Sequence, residues 1–243
     1  MSQETASSPN ALQRKTCDYL LVRHLKPEVE AGICYGQSDL PAAEVPDSAW
    51  QELMAFRSDL PLLSSPLLSS PLQRARTLAD HLSALQSKSS EALALTGDAS
   101  ALIAEDPRWQ EIDFGLWEGQ SWADIGQEAI EQWQQNLLDF QFPNGESAYQ
   151  MQQRVILAWC DWLRQERGGI LVSHLGVIRL LLGEVLQIPF QQQLLLQLDY
   201  QHSAWLRQTW LEDTQGHRLP DSELWQLKGL NLAPKALLEA WRS

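Results

Sequence analysis

The chain predicts an α/β fold, a three-layer sandwich with a mostly parallel central sheet and helices on both faces. Short apolar runs alternate with longer amphipathic ones over most of its length, the order in which strands and crossover helices follow one another in such folds. The runs "DYLLVR" and "GGILVSH" stop at polar, chemistry-bearing residues, where strand ends are expected to gather a ligand. Near the end, "SAWLRQTWL" and "SELWQLKGL" read as an antiparallel pair, so the sheet is mostly rather than wholly parallel.

"DYLLVR" (18–23) is a buried strand. "DSAWQELMAFRS" is a helix with Asp47 as its N-cap. "PLLSSPLLSSPLQRARTLADHLSALQ" gives a strand, a turn and a helix from about Pro71. Its doubled "LLSSP" is too short to be a repeat architecture, and only the second copy runs on into "LQRAR". "ALIAEDPRWQEI" supplies another strand and a loop, and "SWADIGQEAIEQWQQNLLDF" is helical in one piece or two. "ESAYQMQQRVILAWCDWLRQE" is the clearest helix, because Met151, Val155, Ala158, Trp159 and Trp162 recur at helical spacing on one face. "LGVIRLLLGEVLQ" is a helix following the strand that ends on His174, and "PKALLEAWRS" is a short closing helix. Residues 31–46 form a long connection of the kind that carries function, and residues 86–100 read as a Ser/Ala-rich surface loop. Residues 1–16 are polar and are expected to be a flexible tail ahead of a single domain, 17–243.

With 243 residues, 44% of them hydrophobic, the chain can bury a large core. A net charge of −13 excludes a general nucleic-acid binder but leaves room for a local arginine cluster that holds a small anion. Cys17, Cys34 and Cys160 are few, odd in number and far apart, which predicts neither a disulfide framework nor a metal site and suits a reducing cytoplasm. No apolar run approaches the ~20 residues that span a bilayer, so no membrane is expected. No cofactor motif is present, and neither a cofactor nor a catalytic metal is expected.

Three polar motifs stand where strands end, and a fourth lies in a loop. A lone histidine such as His24 is more often structural than catalytic, and Arg23 beside it changes little. "SSPLQRAR" on its own is a helix start, with Ser70 as cap and Pro71 at the first position. Yet basic side chains there run against the helix dipole, and a bound anion would reconcile the two. "QEIDFGLWEG" offers Glu111, Asp113 and Glu118, and "VSHLGVIR" a histidine before a helix start.

Taken together, Arg-His, Ser-Pro-Leu-x-Arg-Ala, Glu-x-x-x-Gly and Ser-His-x-Gly-Val-Ile-Arg, in that order, resemble the histidine phosphatase superfamily, which shares its fold with cofactor-dependent phosphoglycerate mutases. The resemblance runs from about Cys17 to Leu227. Within it, "PEVEAGICYGQSDLP" (27–41), helped by "FPNGES", is similar to the branch containing α-ribazole phosphatase, an enzyme of cobalamin biosynthesis. The resemblance implies a metal-independent phosphomonoesterase acting on a small phosphorylated metabolite, with His24 as nucleophile and Arg23 and Arg74 on the phosphate. It makes His174 the second histidine and Glu111 the proton donor, preferred over Asp113 and Glu118. Arginine suits the first task because its planar, permanently charged fork matches phosphate.

Tyr35, Gly36 and Gln37 are expected to bind substrate, with backbone N–H groups of residues 36–38 at the pocket mouth. The family's usual glycines after both histidines are here Leu25 and Leu175, and the Asn of many mutases is absent near Val29 and Glu30. Both leucines are expected to have ordinary backbone angles and to narrow one pocket wall, with Gly176 keeping any tight contact. Trp109 and Trp117 are candidates for an apolar leaving group, and Arg76 and Arg179 are expected to bind neighbouring structure. A mutase-like phosphotransferase and a catalytically silent binding protein are the rival readings, and a homodimer is an allowed state.

Overall fold

The computed structural model describes residues 12–55, 65–87 and 103–242. Six strands form one sheet: β1 (Gln13–Arg23), β2 (Leu67–Ser69), β3 (Ile103–Glu105), β4 (Gly169–Ser173), β5 (Ser203–Glu212) and β6 (Leu224–Leu232), in the order β3-β2-β4-β1-β5-β6. The β3-β2, β2-β4 and β4-β1 pairs are parallel, and β1-β5 and β5-β6 are antiparallel. The crossovers carry helices α1 (Ala49–Ala55), α2 (Gln73–Ser87), α3 (Trp122–Ile125), α4 (Gln127–Gln135), α5 (Ala148–Leu163), α6 (Leu175–Leu186) and α7 (Phe190–Gln193); α8 (Pro234–Arg242) closes the fold. None of these helices is long and apolar enough to cross a membrane.

Strand alternation sorts the core into two layers. From β1, Tyr19 and Leu21 join α5 and α6 on one face, through Val155, Trp159, Trp162, Val177 and Leu181. Leu20 and Val22 point to the other face, against Trp50 and Leu53 of α1, Leu78 and Leu82 of α2, and Leu237 of α8. The predicted face of α5 is buried throughout, and its start is a reciprocal capping box between Ser147 and Gln150. A third cluster lies outside the sheet, where Cys34, Trp117 and Phe142 pack with Phe114, Trp122 and Trp133.

Strand β1 starts five residues before the predicted boundary and takes in Gln13 to Thr16, which were assigned to the tail. These polar residues carry no apolar signal; they are strand because β5 is long enough to pair with them, from Gln13 opposite Glu212 to Val22 opposite Ser203. Of the expected 86–100 loop, Gln86 and Ser87 complete α2, and the remainder lies outside the described residues.

Candidate active site

Register brings the motifs together. Arg23 pairs with Ser173 across β1 and β4, and Ser69 with Val172 across β2 and β4. The chain therefore leaves three adjacent parallel strands at one level. His24 N–H donates to the Ser173 carbonyl at 2.8 Å and Ser70 N–H to the Val172 carbonyl at 3.0 Å, extending the ladders one residue past the strands. His24, Ser70 and His174 thus meet at the carboxyl edge of the sheet.

His24 and His174 are both buried, with ring centroids 4.8 Å apart. The Nδ1 of His24 lies 2.5 Å from the Leu25 carbonyl oxygen. A carbonyl can only accept, so Nδ1 carries the proton and Nε2 keeps its lone pair. His174 places Nε2 2.8 Å from the Ser70 hydroxyl, and its buried Nδ1 has no protein partner. Burial, with Arg74 and more weakly Arg23, holds His24 well below the ordinary imidazole pKa, against the opposing pull of the Leu25 carbonyl. Burial also lowers His174, helped by His24, Arg74, Arg154 and Arg23. Both rings are neutral at neutral pH.

Two guanidinium groups flank the pair. Arg74 is fully buried at the start of α2 and donates to the Gly36 carbonyl at 2.6 Å and the Ser38 carbonyl at 2.7 Å. Burial pulls its pKa down while Glu111, Tyr35, Asp39 and Glu118 pull it up. Arg23 donates to the Leu198 carbonyl at 2.6 Å and stacks over the Tyr200 ring at 3.9 Å. The Nε of each arginine is buried and has no protein acceptor.

Glu111 approaches from the loop after β3. Its carboxylate accepts from Ile112 N–H at 3.0 Å and from Gly176 N–H, in the first turn of α6, at 3.1 Å. A Cβ on Gly176 would lie 2.1 Å from Glu111 Oε1, so the close contact expected of this glycine is with the carboxylate. Arg154 ties the Glu111 loop down, donating to the carbonyls of Arg108, Gln110 and Glu111 and to the Glu146 carboxylate.

Arg23, His24, Arg74 and Glu111 line one cavity of about 430 Å³. Arg23, His24, Arg74, Tyr35 and Glu111 form its polar end. Its wall is apolar, from Phe114 and Trp133, Met151, Leu175 and Leu180, and Phe190. Among the described residues, no group of three or more His, Cys, Asp or Glu side chains is arranged to hold a metal ion.

The family model of the histidine phosphatase superfamily (branch 1) matches residues 19–214. The chain belongs to the histidine phosphatase superfamily. It is 28% identical over 211 residues to a probable phosphoglycerate mutase of Escherichia fergusonii, covering 81% of this chain and 91% of that one. Among solved structures, it is similar to a putative α-ribazole-5′-P phosphatase from Escherichia coli, with a TM-score of 0.63 and 20% identity over 89% of this chain and 98% of that one. A mycobacterial glucosyl-3-phosphoglycerate phosphatase bound to VO3 gives a TM-score of 0.61 and 20% identity over 89% of this chain and 100% of that one. These two likenesses show the same fold.

In this member of the superfamily the candidate residues divide. His24, Arg23, Arg74, Glu111, Tyr35 and Leu175 line the cavity, with His174 packed against His24. Leu25 does not narrow the pocket; it is fully buried in the layer of α1 and α2, because the chain turns away from the sheet edge after His24. Neither leucine has a positive φ. Gly36 and Gln37 are also absent from the wall. The N–H groups of Gln37 and Ser38, expected at the mouth, donate instead to Glu118 at 2.8 and 2.6 Å. Glu118 is thereby a loop clamp, while Asp113 caps Gly115 N–H at 2.8 Å.

Trp109 is buried in the main core and Trp117 in the aromatic cluster, so neither reaches the cavity; Trp133 does. Arg76 is paired with Asp80 and Glu105, as expected. Arg179 binds the Leu196 carbonyl through Nε at 2.9 Å but also lines the cavity, four residues beyond Leu175 on the same helix face. Tyr200 and Arg154 went unnoticed in the sequence. Nothing local marks Tyr200, whereas Arg154 stands three residues after Met151, beside the apolar face of α5, where a cation needs acceptors.

Proposed function

We propose that this chain is a phosphomonoesterase that forms a covalent phosphohistidine on His24. The observation that carries this is the tautomer of His24: a buried neutral ring with its Nε2 lone pair free, beside two guanidinium groups with unmet donors. Arg23 and Arg74 hold the phosphoryl oxygens, supplying the positive charge that the transfer requires. Nε2 attacks phosphorus as the bond to the leaving oxygen breaks, and Glu111 gives that oxygen its proton. Nδ1 keeps its proton and shares the new positive charge with the Leu25 carbonyl. Water then enters, Glu111 takes one of its protons, the oxygen attacks phosphorus, and the N–P bond breaks to return Nε2 its electron pair. His174 donates to the transferring group from across the pair. Metal independence belongs to the proposal, and EDTA is expected to leave the rate unchanged.

Phosphomonoesters of aromatic or largely apolar alcohols are the favoured substrate class, since Phe114 and Trp133 bring aromatic side chains to the cavity wall, and α-ribazole-5′-phosphate is the member of that class to which the sequence resemblance points. The relatives named as probable phosphoglycerate mutases support a mutase reading, but a small, wholly polar phosphoglycerate leaves that apolar wall unfilled. Phosphate release is measured across α-ribazole-5′-phosphate, 3-phosphoglycerate and sugar phosphates, with mutase turnover alongside. Radiolabelled substrate should leave an acid-labile label on the wild type and none on His24→Ala. Steady phosphate release with no trappable label refutes the phosphohistidine.

A further inference from the structure

The cavity has unmet hydrogen-bonding capacity at two places, of opposite kinds. At the histidines the unpartnered buried atoms are the donors Arg23 Nε and Arg74 Nε, with His174 Nδ1 beside them. Further along, the unpartnered buried atom is an acceptor, Oε1 of Gln193, a residue that lines the cavity and is 3% exposed. Its Nε2 donates to the Ile188 carbonyl at 2.8 Å, which fixes which end of the amide is oxygen.

Helix α6 sets the separation. Leu175, Gly176, Arg179 and Leu180 lie on one of its stripes and line the cavity. The Gln193 amide rests in a notch at Gly183, where a Cβ would lie 2.0 Å from Nε2. Gly176 and Gly183 are seven residues apart, which is ~10 Å along a helix. Between them the wall is mostly apolar, with Phe190 and Leu194 from the α7 side and Trp133 and Leu137 from the α4 side; Arg179, whose Nε donates to the Leu196 carbonyl, and Gln134 are its polar members.

We infer that Gln193 is a specificity-determining residue whose Oε1 accepts a hydrogen bond from the leaving group, and that the substrates are phosphomonoesters of elongated, largely apolar or aromatic alcohols bearing an N–H or O–H donor ~10 Å from the phosphate. The placement of phosphate at His24 rests on the function proposed above. An acceptor left bare in an apolar pocket penalises any occupant that cannot satisfy it, so discrimination comes from what the site refuses as well as what it holds; α-ribazole-5′-phosphate, whose base carries neither N–H nor O–H, incurs that penalty and should be a poorer substrate than a donor-bearing aromatic phosphate.

The test compares 4′-hydroxybiphenyl-4-yl phosphate with biphenyl-4-yl phosphate, a rigid pair that differs by the distal donor, with p-nitrophenyl phosphate as a size-independent control. Wild type should favour the hydroxylated compound by about tenfold in kcat/KM, mostly through KM. Gln193→Met should bring the ratio to near unity while turnover of p-nitrophenyl phosphate stays within about twofold. Gly183→Ala leaves Gln193 in the chain but pushes its amide from the notch, and should lower the ratio in the same way. A wild-type ratio near unity with p-nitrophenyl phosphate hydrolysed overturns the inference alone. A ratio unchanged in both variants does the same. Release of phosphate from none of the three compounds overturns both this inference and the phosphatase reading.

Discussion

Gly176→Ala isolates the contact between α6 and Glu111. Alanine is compatible with the backbone, since Gly176 is helical and has no positive φ. As a better helix former it should leave folding unharmed or improve it by up to about 1 kcal/mol. The new methyl would stand 2.1 Å from Glu111 Oε1, where ordinary contact begins at 3.4 Å, so the carboxylate must retreat by 3.4 − 2.1 = 1.3 Å. That also stretches or breaks the 3.1 Å bond from Gly176 N–H. A misplacement of ~1 Å at a reacting group costs about a hundredfold in rate.

The leaving group separates loss of proton donation from general damage. An alkyl phosphate needs a proton on its departing oxygen, whereas p-nitrophenyl phosphate releases p-nitrophenolate, a stable anion. Gly176→Ala should therefore lower kcat/KM, which reports the steps up to phosphoryl transfer to His24, about a hundredfold for alkyl monophosphates and less than tenfold for p-nitrophenyl phosphate. Glu111→Gln should show the same asymmetry. Thermal melting alongside the kinetics verifies the fold. Equal losses of kcat/KM on both substrate types, with an unchanged melting temperature, would refute Glu111 as the proton donor.

Four further outcomes are expected. Because burial and Arg74 depress the pKa of His24, the acid limb of the kcat/KM profile should fall below the free-imidazole value near 6.5, and a limb at or above it contradicts the electrostatics. Both site histidines have folded pKa values below their unfolded ones, so as pH drops below about 6.5 the unfolded chain binds protons that the fold resists; stability should decline there, and less steeply in His174→Asn, as chemical denaturation at a series of pH values would show. Leu25→Ala should destabilise by about 2–5 kcal/mol without changing the ranking of substrates, whereas Leu175→Ala should alter the ranking with little loss of stability, and denaturation with a substrate panel distinguishes them. Arg154→Met releases three carbonyls of the Glu111 loop and should lower stability by about 1–3 kcal/mol together with kcat, while Arg154→Lys restores part of the stability but not the forked bonding, as read by melting and by alkyl phosphate turnover.

The strands and helices were legible because their residues announce their surroundings. "DYLLVR" and "GGILVSH" are apolar on both faces because helices cover both faces of the sheet, and the Met151–Trp162 stripe on α5 faces one layer. The polar motifs at the strand ends were legible as residue types. What escaped was contact made at a distance in sequence. Gln37 and Ser38 N–H groups look available in a loop, yet Glu118, some eighty residues on, takes both. Leu25 and Leu175 look equivalent, each following a histidine, and end in different layers because one precedes a loop that turns under the sheet and the other begins a helix beside the cavity. Trp109, Trp117 and Trp133 carry no local mark that says which will face a ligand.

The amino-acid order determined the alternation of elements, the pairing of histidine with arginine at the end of the first strand, and the family, because these depend on spacing and side-chain chemistry within short stretches. Only the tertiary structure decided that β1 reaches back to Gln13, that Gly176 makes room for Glu111, and that an apolar wall ends near the unmet oxygen of Gln193. Each of these depends on the path of a second, remote segment, and no local stretch of sequence records where that segment will pass.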